Sequence, residues 1–255
     1  GLGAGELREV DLVTKLPKGL SGSYFVFVLS DPVTPQRPTG AVFEDGQETN
    51  LRAAAQPLLI DDVPPADLVA ENVAIAGGSA PGDSVTVTWD VTNQADAAAA
   101  GRWSDAIYLS RDGDWDIGDI FLGRFNHDGG LAAGASYAGS LPADLPVLGD
   151  GAWRVIVRTD ARDEVNEGAF EVNNDTTGQS PFTVESPLIP LGIDRAVTLS
   201  GDTERLFRVE VGAGETLRVR LSGGDALSPN EIFVKAGRPP SQSDFDASPK
   251  SVFGT

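Results

Sequence analysis

The chain has 255 residues, with 38 acidic against 19 basic side chains, one His, no Cys and no Met. A formal net charge of −19 repels phosphate backbones and makes cations the natural partners, so no nucleic-acid partner is expected. The lack of Cys excludes disulfides, thiolate metal sites and a Cys nucleophile. No apolar run reaches the roughly 20 residues of a membrane span, so no membrane insertion is expected. The first residues do not read as a signal peptide, and a chain without Met is expected to be a window of a longer protein.

The opening sixty residues echo a later stretch. Moved forward by 129 positions, Leu2 falls on Leu131, Gly5 on Gly134, Leu12 on Leu141 and Gly22 on Gly151. Tyr24 meets Trp153, Val26 meets Val155, Val28 meets Val157 and Asp31 meets Asp160. After a short insertion, Glu48-Thr49-Asn50-Leu51 corresponds to Glu171-Val172-Asn173-Asn174. Residues 1–60 are therefore expected to be the C-terminal half of a β-sandwich. Its missing strands are expected upstream, because half a sandwich exposes its inner faces and an unpaired edge. Residues 61–65, Asp-Asp-Val-Pro-Pro, form a stiff acidic linker.

Residues 66–186 read as one complete antiparallel sandwich. In Ser84 to Asn93, Val85, Val87, Trp89 and Val91 share one face while Thr86, Thr88, Asp90 and Thr92 share the other, the period of a half-buried strand. The β-branched and aromatic run Ala152 to Thr159 is a second long strand. Strands are predicted near 67–76, 83–93, 103–110, 119–126, 134–141, 152–159 and 169–184, with Gly- and Pro-rich turns between most of them. No stretch has a helical period. Seven short strands spaced this way predict an all-β, immunoglobulin-like sandwich.

The order Asp67-Leu68-Val69, Val85 to Asn93, Trp103 to Ser110, Gly118-Asp119, Leu122-Gly123, Leu131 to Tyr137, Gly151 to Asp160 and Glu171 to Asn174 resembles the CARDB domain, a bacterial and archaeal cell-adhesion-related module. The likeness spans 66–186 fully and 2–60 in part. It implies tandem, extracellular, immunoglobulin-like repeats acting as stalks or binding modules without catalysis. From about Leu188 the character changes. Asp202 to Val211, the turn Gly212-Ala213-Gly214-Glu215 and Thr216 to Leu221 predict strand, tight turn and strand. With Asn230 to Ser241 and Asp244-Phe245-Asp246, residues 187–255 are similar to part of the bacterial pre-peptidase C-terminal domain, a second type of small β-sandwich.

The one constellation with possible chemistry is Asp112, Asp114, Asp116 and Asp119, acids spaced along a Gly-containing loop. Ca²⁺ takes six to eight oxygens from such flexible loops, and four neighbouring carboxylates repel one another without a counter-ion. Ile117 and Gly123 stand where an EF-hand needs Gly and a bidentate Glu, so the loop is not an EF-hand. Asp105 or Asp128 could complete the shell. The alternative is a solvated hairpin whose acids are turn formers.

A second acidic set, Asp160, Asp163, Glu164, Glu167, Glu171, Asn173, Asn174 and Asp175, reads first as structural. Its Asn side chains are expected on loop backbone and its acids in water, with metal binding as the alternative. Trp103, Tyr108 and Trp115 are candidates for an aromatic platform binding sugars, whereas Trp89 and Trp153 are expected in the core. A His-rich metal site or a catalytic triad would have to rely on His127 alone, and neither Gly-x-Ser-x-Gly nor a P-loop occurs, so no enzyme is expected. The resulting expectation is a non-catalytic structural or adhesive array in a large secreted or cell-surface bacterial protein, with Ca²⁺ stiffening it. The partners are neighbouring modules of the same longer chain, other copies, or surface glycans and proteins. The alternative is a carbohydrate- or protein-binding module that targets an attached secreted enzyme.

Overall fold

The computed structural model describes residues 6–37, 40–42, 50–61, 63–199, 203–222 and 231–248. Two units, Gly1–Pro65 and Ala66–Thr255, are described separately. The second holds an antiparallel β-sandwich, so the protein is all-β and immunoglobulin-like, with one three-residue 3₁₀ turn at Gly168–Phe170 among the described residues.

In the first unit the strands are β1 (Gly22–Tyr24), β2 (Phe27–Leu29), β3 (Leu51–Ala53) and β4 (Leu58–Ile60). In the second they are β5 (Leu68–Gly77), β6 (Ser84–Asn93), β7 (Arg102–Ser110), β8 (Ile120–Asp128), β9 (Ser136–Asp144), β10 (Gly151–Arg158), β11 (Asp175–Thr177) and β12 (Phe182–Val184). One sheet has the order β5-β6-β9. The other runs β11-β10-β7-β8, with β12 also paired to β10.

Alternation decides what each sheet turns inward. Val85, Val87, Trp89 and Val91 from β6 meet Trp103, Ile107 and Leu109 from β7 and Val155 and Val157 from β10, closed at one end by Leu145 and Leu148. Gly139 lies opposite Trp89 in the ladder, where a Cβ would run into the indole ring, so no side chain fits there.

Asp105 occupies an inward position of β7 between these apolar residues and is fully buried. Its Oδ2 accepts hydrogen bonds from Trp89 Nε1 at 2.9 Å and from the Tyr137 hydroxyl at 2.7 Å. Its Oδ1 accepts one from the Thr159 hydroxyl at 2.8 Å, and Trp103 Nε1 donates to the Tyr137 oxygen at 3.0 Å. The carboxylate thereby ties β7 to β6 and β9 of the facing sheet. Burial raises its pKa above the ordinary Asp value, while the Tyr137, Trp89 and Thr159 donors pull the other way. Tyr137 is held far above the usual tyrosine range, first by burial and then by Asp105.

Two predicted elements differ. The run 169–184 is not one strand: a 3₁₀ turn, β11 and β12 replace it, and both short strands line the same edge of β10. Between them the Gly178 N–H bonds to the Val155 carbonyl at 2.8 Å, and Gly-Gln-Ser-Pro at 178–181 turns the chain. In the tail the turn at 212–215 forms, with the Glu215 N–H on the Gly212 carbonyl. Its flanks make no ladder among the described residues, because alternation without a partner strand does not create one. Within the tail Leu188 bridges Arg208, and the tail meets the sandwich through the ion pairs Arg205–Asp83 and Arg208–Asp150.

The first unit carries the hydrogen-bond frame of β10, β11 and β12. Gly22 pairs Ile60 and Tyr24 pairs Leu58, as Gly151 pairs Val184 and Trp153 pairs Phe182. Phe27 pairs Ala53 and Leu29 pairs Leu51, as Ile156 pairs Thr177 and Arg158 pairs Asp175. The Ser30 N–H bonds to the Asn50 carbonyl at 3.0 Å, as the Thr159 N–H does to that of Asn174 at 2.9 Å. This frame places Asn50 with Asn174, one residue away from the correspondence read from sequence, and Glu48 and Thr49 lie outside the described residues.

Asp105→Asn presents an amide N–H₂ to a pocket of three donors. It is expected to lower the unfolding free energy by about 3 kcal/mol in chemical denaturation, and a loss under about 1 kcal/mol would show that the buried carboxylate does not hold the sheets.

Candidate metal centre

The chain leaves β10 through Thr159 into a turn at 160–163, where Asp160 (φ 41°) and Asp163 (φ 53°) take the left-handed conformation that Asp tolerates better than most residues. The Asp163 N–H closes the turn on the Asp160 carbonyl at 2.8 Å. The Asp160 carboxylate accepts the Glu164 and Val165 N–H groups, each at 2.8 Å.

Glu167 then points inward and is fully buried. Its Oε1 accepts the Leu68 N–H at 2.5 Å and its Oε2 accepts Asn174 Nδ2 at 2.7 Å, which ties the loop to the first strand of the module. Asn173 Nδ2 reaches Asp67 at 2.9 Å. The roles expected from sequence are thus exchanged: acids hold loop backbone, and Asn amides hold acids.

Ligand oxygens of Asp160, Asp163 and Glu171 lie within 4.8 Å of one another, with Asp160 buried, Glu171 half-buried and Asp163 exposed. Two oxygens on opposite sides of one Ca²⁺ are about 5 Å apart at the usual bond lengths, so the spread fits one such ion, and an all-oxygen set belongs to Ca²⁺, Mg²⁺ or Mn²⁺ rather than to softer metals. The buried Oδ1 atoms of Asn173 and Asn174, two and three residues beyond Glu171, accept no hydrogen bond among the described residues. These three acids are therefore the residues that could hold a metal.

The loop singled out first, Asp112, Asp114, Asp116 and Asp119, is not drawn together in this way among the described residues. Three of its acids turn onto their own backbone. Asp112 accepts the Asp114 N–H and the Ser110 hydroxyl, each at 3.0 Å, and these two, the backbone N–H foremost, hold its pKa below the ordinary value. Asp116 accepts the Gly118 N–H at 2.6 Å, and Asp119 accepts the Asp116 N–H at 3.0 Å. Asp105 belongs to the core and completes no shell, and Asp128 is exposed at the end of β8.

The aromatic candidates separate. Trp103, 1% exposed, is core and takes no part in a surface platform. Trp115 remains 37% exposed because its loop folds onto the outer face of the sheet, where Arg158 lies 3.9 Å over the indole and Tyr108 stands edge-on at 6.1 Å. The Thr177 hydroxyl pins this loop through the Gly113 carbonyl at 2.5 Å. Exposed Phe121, edge-on to Tyr108 at 5.5 Å, belongs to the same surface and was missed in the sequence. His127 stacks on Tyr137 at 4.0 Å, and its Nε2 pairs with the Gly130 carbonyl.

No protein-family model and no curated protein matches this chain. Among solved structures it is similar to the CARDB domain of the PF1109 protein from Pyrococcus furiosus in complex with di-metal ions, at 16% identity over 47% of this chain and 92% of that one, with a TM-score of 0.33. The solution structure of that domain gives 18% identity over 48% and 95%, TM-score 0.33. A β-glucosidase from Listeria innocua in complex with laminaribiose gives 14% identity over 65% of this chain and 22% of that one, TM-score 0.31. No helix among the described residues is long and apolar enough to cross a membrane.

Burial raises the Glu167 pKa to about 7 from 4.5, with Glu171 and Asp160 pushing the same way and the Leu68 N–H and Asn174 donors opposing. Between these two values the folded protein keeps a proton that the unfolded chain has lost, so stability falls as pH rises from about 5 to 7 and levels off above. Glu167→Gln keeps an acceptor for Leu68 and offers N–H₂ to the unpartnered Asn174 oxygen once that amide turns over. Melting temperatures from pH 5 to 8 are expected to decline less in this variant than in the unmutated protein, and parallel profiles would remove Glu167 as the cause.

Proposed function

We propose that residues 66–186 are a non-catalytic, adhesion-related structural module of a secreted or cell-surface protein, and that Ca²⁺ held by Asp160, Asp163 and Glu171 stiffens the loop beyond β10. The carrying observation is how the buried acids are used. Asp105 and Glu167, the kind of desolvated group a catalyst would employ, are each saturated by structural donors that join strands and loops. What remains at the surface is an oxygen-rich loop on a strongly acidic chain, which favours a hard cation over an anionic ligand. Its partners are neighbouring modules of the same polypeptide, other copies, or glycans and proteins at the surface.

An ion bound only by the folded loop stabilises it by mass action, about 2.7 kcal/mol at a hundredfold excess over Kd, or roughly 10 °C in Tm for a domain of this size. Millimolar Ca²⁺ is expected to raise Tm by that order. The pair Asp163→Asn and Glu171→Gln is expected to abolish the rise, while Asp114→Ala with Asp116→Ala leaves it intact. A rise lost only with the second pair would move the ion to the 112–119 loop, and no rise in the unmutated protein would end the calcium reading.

A second reading, a carbohydrate-binding module attached to a secreted enzyme, is favoured by the exposed rings of Trp115 and Phe121 beside Arg158 and Arg124 on one sheet face. Glycan-array signal that disappears with Trp115→Ala is the expected outcome there; a blank array with the unmutated protein counts against it.

A further inference from the structure

The outward face of the sheet built on β7 and β10 carries a cross-strand row of two arginines. Ala106 of β7 lies opposite Arg158 of β10 on one side and opposite Arg124 of β8 on the other. The two arginines therefore stand two strand spacings apart, about 10 Å between Cα atoms, with only a methyl group between them. In the next row Tyr108 lies between Ile156 and Phe121. Ala106 and Ile156 alternate with inward Ile107, Val155 and Val157 and so face away from the core, yet both are fully buried. The groups above them are packed onto the sheet.

The arginines are positioned without being fully neutralised. Arg158 lies 3.9 Å over the Trp115 indole and pairs with Asp175 at 3.4 Å, both side chains remaining partly exposed. Arg124 lies 5.8 Å over the Phe121 ring and donates to the Ser104 hydroxyl at 3.4 Å, and it makes no ion pair among the described residues. The acids of the adjacent loop do not supply one, because Asp112, Asp116 and Asp119 bond to their own backbone. Between the two arginine–ring pairs stands Tyr108, edge-on to Trp115 and to Phe121, whose hydroxyl has no hydrogen-bond partner among the described residues. On a chain of net charge −19, guanidinium groups kept apart from so many carboxylates select an anion.

We propose that this row binds a carboxylate-bearing glycan. The inference rests on the carbohydrate-binding reading given above and narrows it to acidic sugars. The planar guanidinium forks of Arg124 and Arg158 match a carboxylate in shape as well as charge. Phe121, 51% exposed, and the free part of Trp115 offer apolar surface to the C–H face of a sugar ring, and Tyr108 offers a hydroxyl to its polar edge. A nucleic acid would meet the repulsion of the whole chain, and an acidic peptide has no ring face to cover these side chains.

The test titrates the full chain with oligogalacturonate, hyaluronan oligosaccharides and sialyllactose, each beside its carboxyl-reduced, neutral counterpart, and with poly-L-glutamate. At least one acidic glycan is expected to bind about tenfold tighter than its neutral counterpart, as a charge-assisted bond requires. Arg124→Gln and Arg158→Gln are each expected to remove that preference while binding of the neutral counterpart and thermal unfolding stay unchanged. Equal binding of acidic and neutral forms, or a preference that survives both substitutions, overturns the acidic-sugar inference and leaves the carbohydrate reading standing. Poly-L-glutamate bound as tightly as the acidic glycan also overturns it, since charge alone then suffices. No binding of any of these glycans, together with a blank array, overturns both.

Discussion

A carboxylate in the middle of an apolar sandwich is the constraint from which much of this structure follows. Desolvating Asp105 costs several kcal/mol unless every lone pair facing the core finds a donor. Trp89 and Tyr137 come from the opposite sheet and Thr159 from the end of β10, so the donors can meet the acid only when both sheets have the correct spacing and register. Hydrophobic burial alone would tolerate small slips between sheets, whereas a directional bond does not. Burial favours the protonated form and the donors favour the charged one, so core polarity and core geometry are coupled.

The loop after β10 uses the same chemistry nearer the surface. Asp160 holds two successive backbone N–H groups, and Asp31, in the corresponding position of the first unit, holds those of Ala41 and Val42 at 2.6 and 2.9 Å. Both residues have positive φ. In Asp31 these two donors, Ala41 before Val42, keep the carboxyl below its usual pKa.

The strand alternation of β6, β7 and β10 was legible because one face of each is apolar and the period is two. The same parity puts Asp105 and Trp103 on the inward face of β7 with Ile107 and Leu109, but the sequence reading did not apply it there and took Trp103 for a platform and Asp105 for a metal shell. The acidic hairpin at 112–119 drew attention through local density of charge. Yet local density also arises when Asp is selected to bond its own turn, as Asp112, Asp116 and Asp119 do. The break in 169–184 was hidden because apolar and polar residues keep alternating across a turn that sends both short strands to the same edge of β10.

By itself the sequence determined the β period, the positions of most strands and turns, and the strongly negative net charge, because these depend on side-chain type and short spacing alone. Tertiary structure decided which acids are core, which are caps and which converge, as it did for Asp105, Glu167 and the trio Asp160, Asp163 and Glu171. The physical reason is that a carboxylate's role depends on the donors and the dielectric around it, and those come from strands and loops far away in the chain.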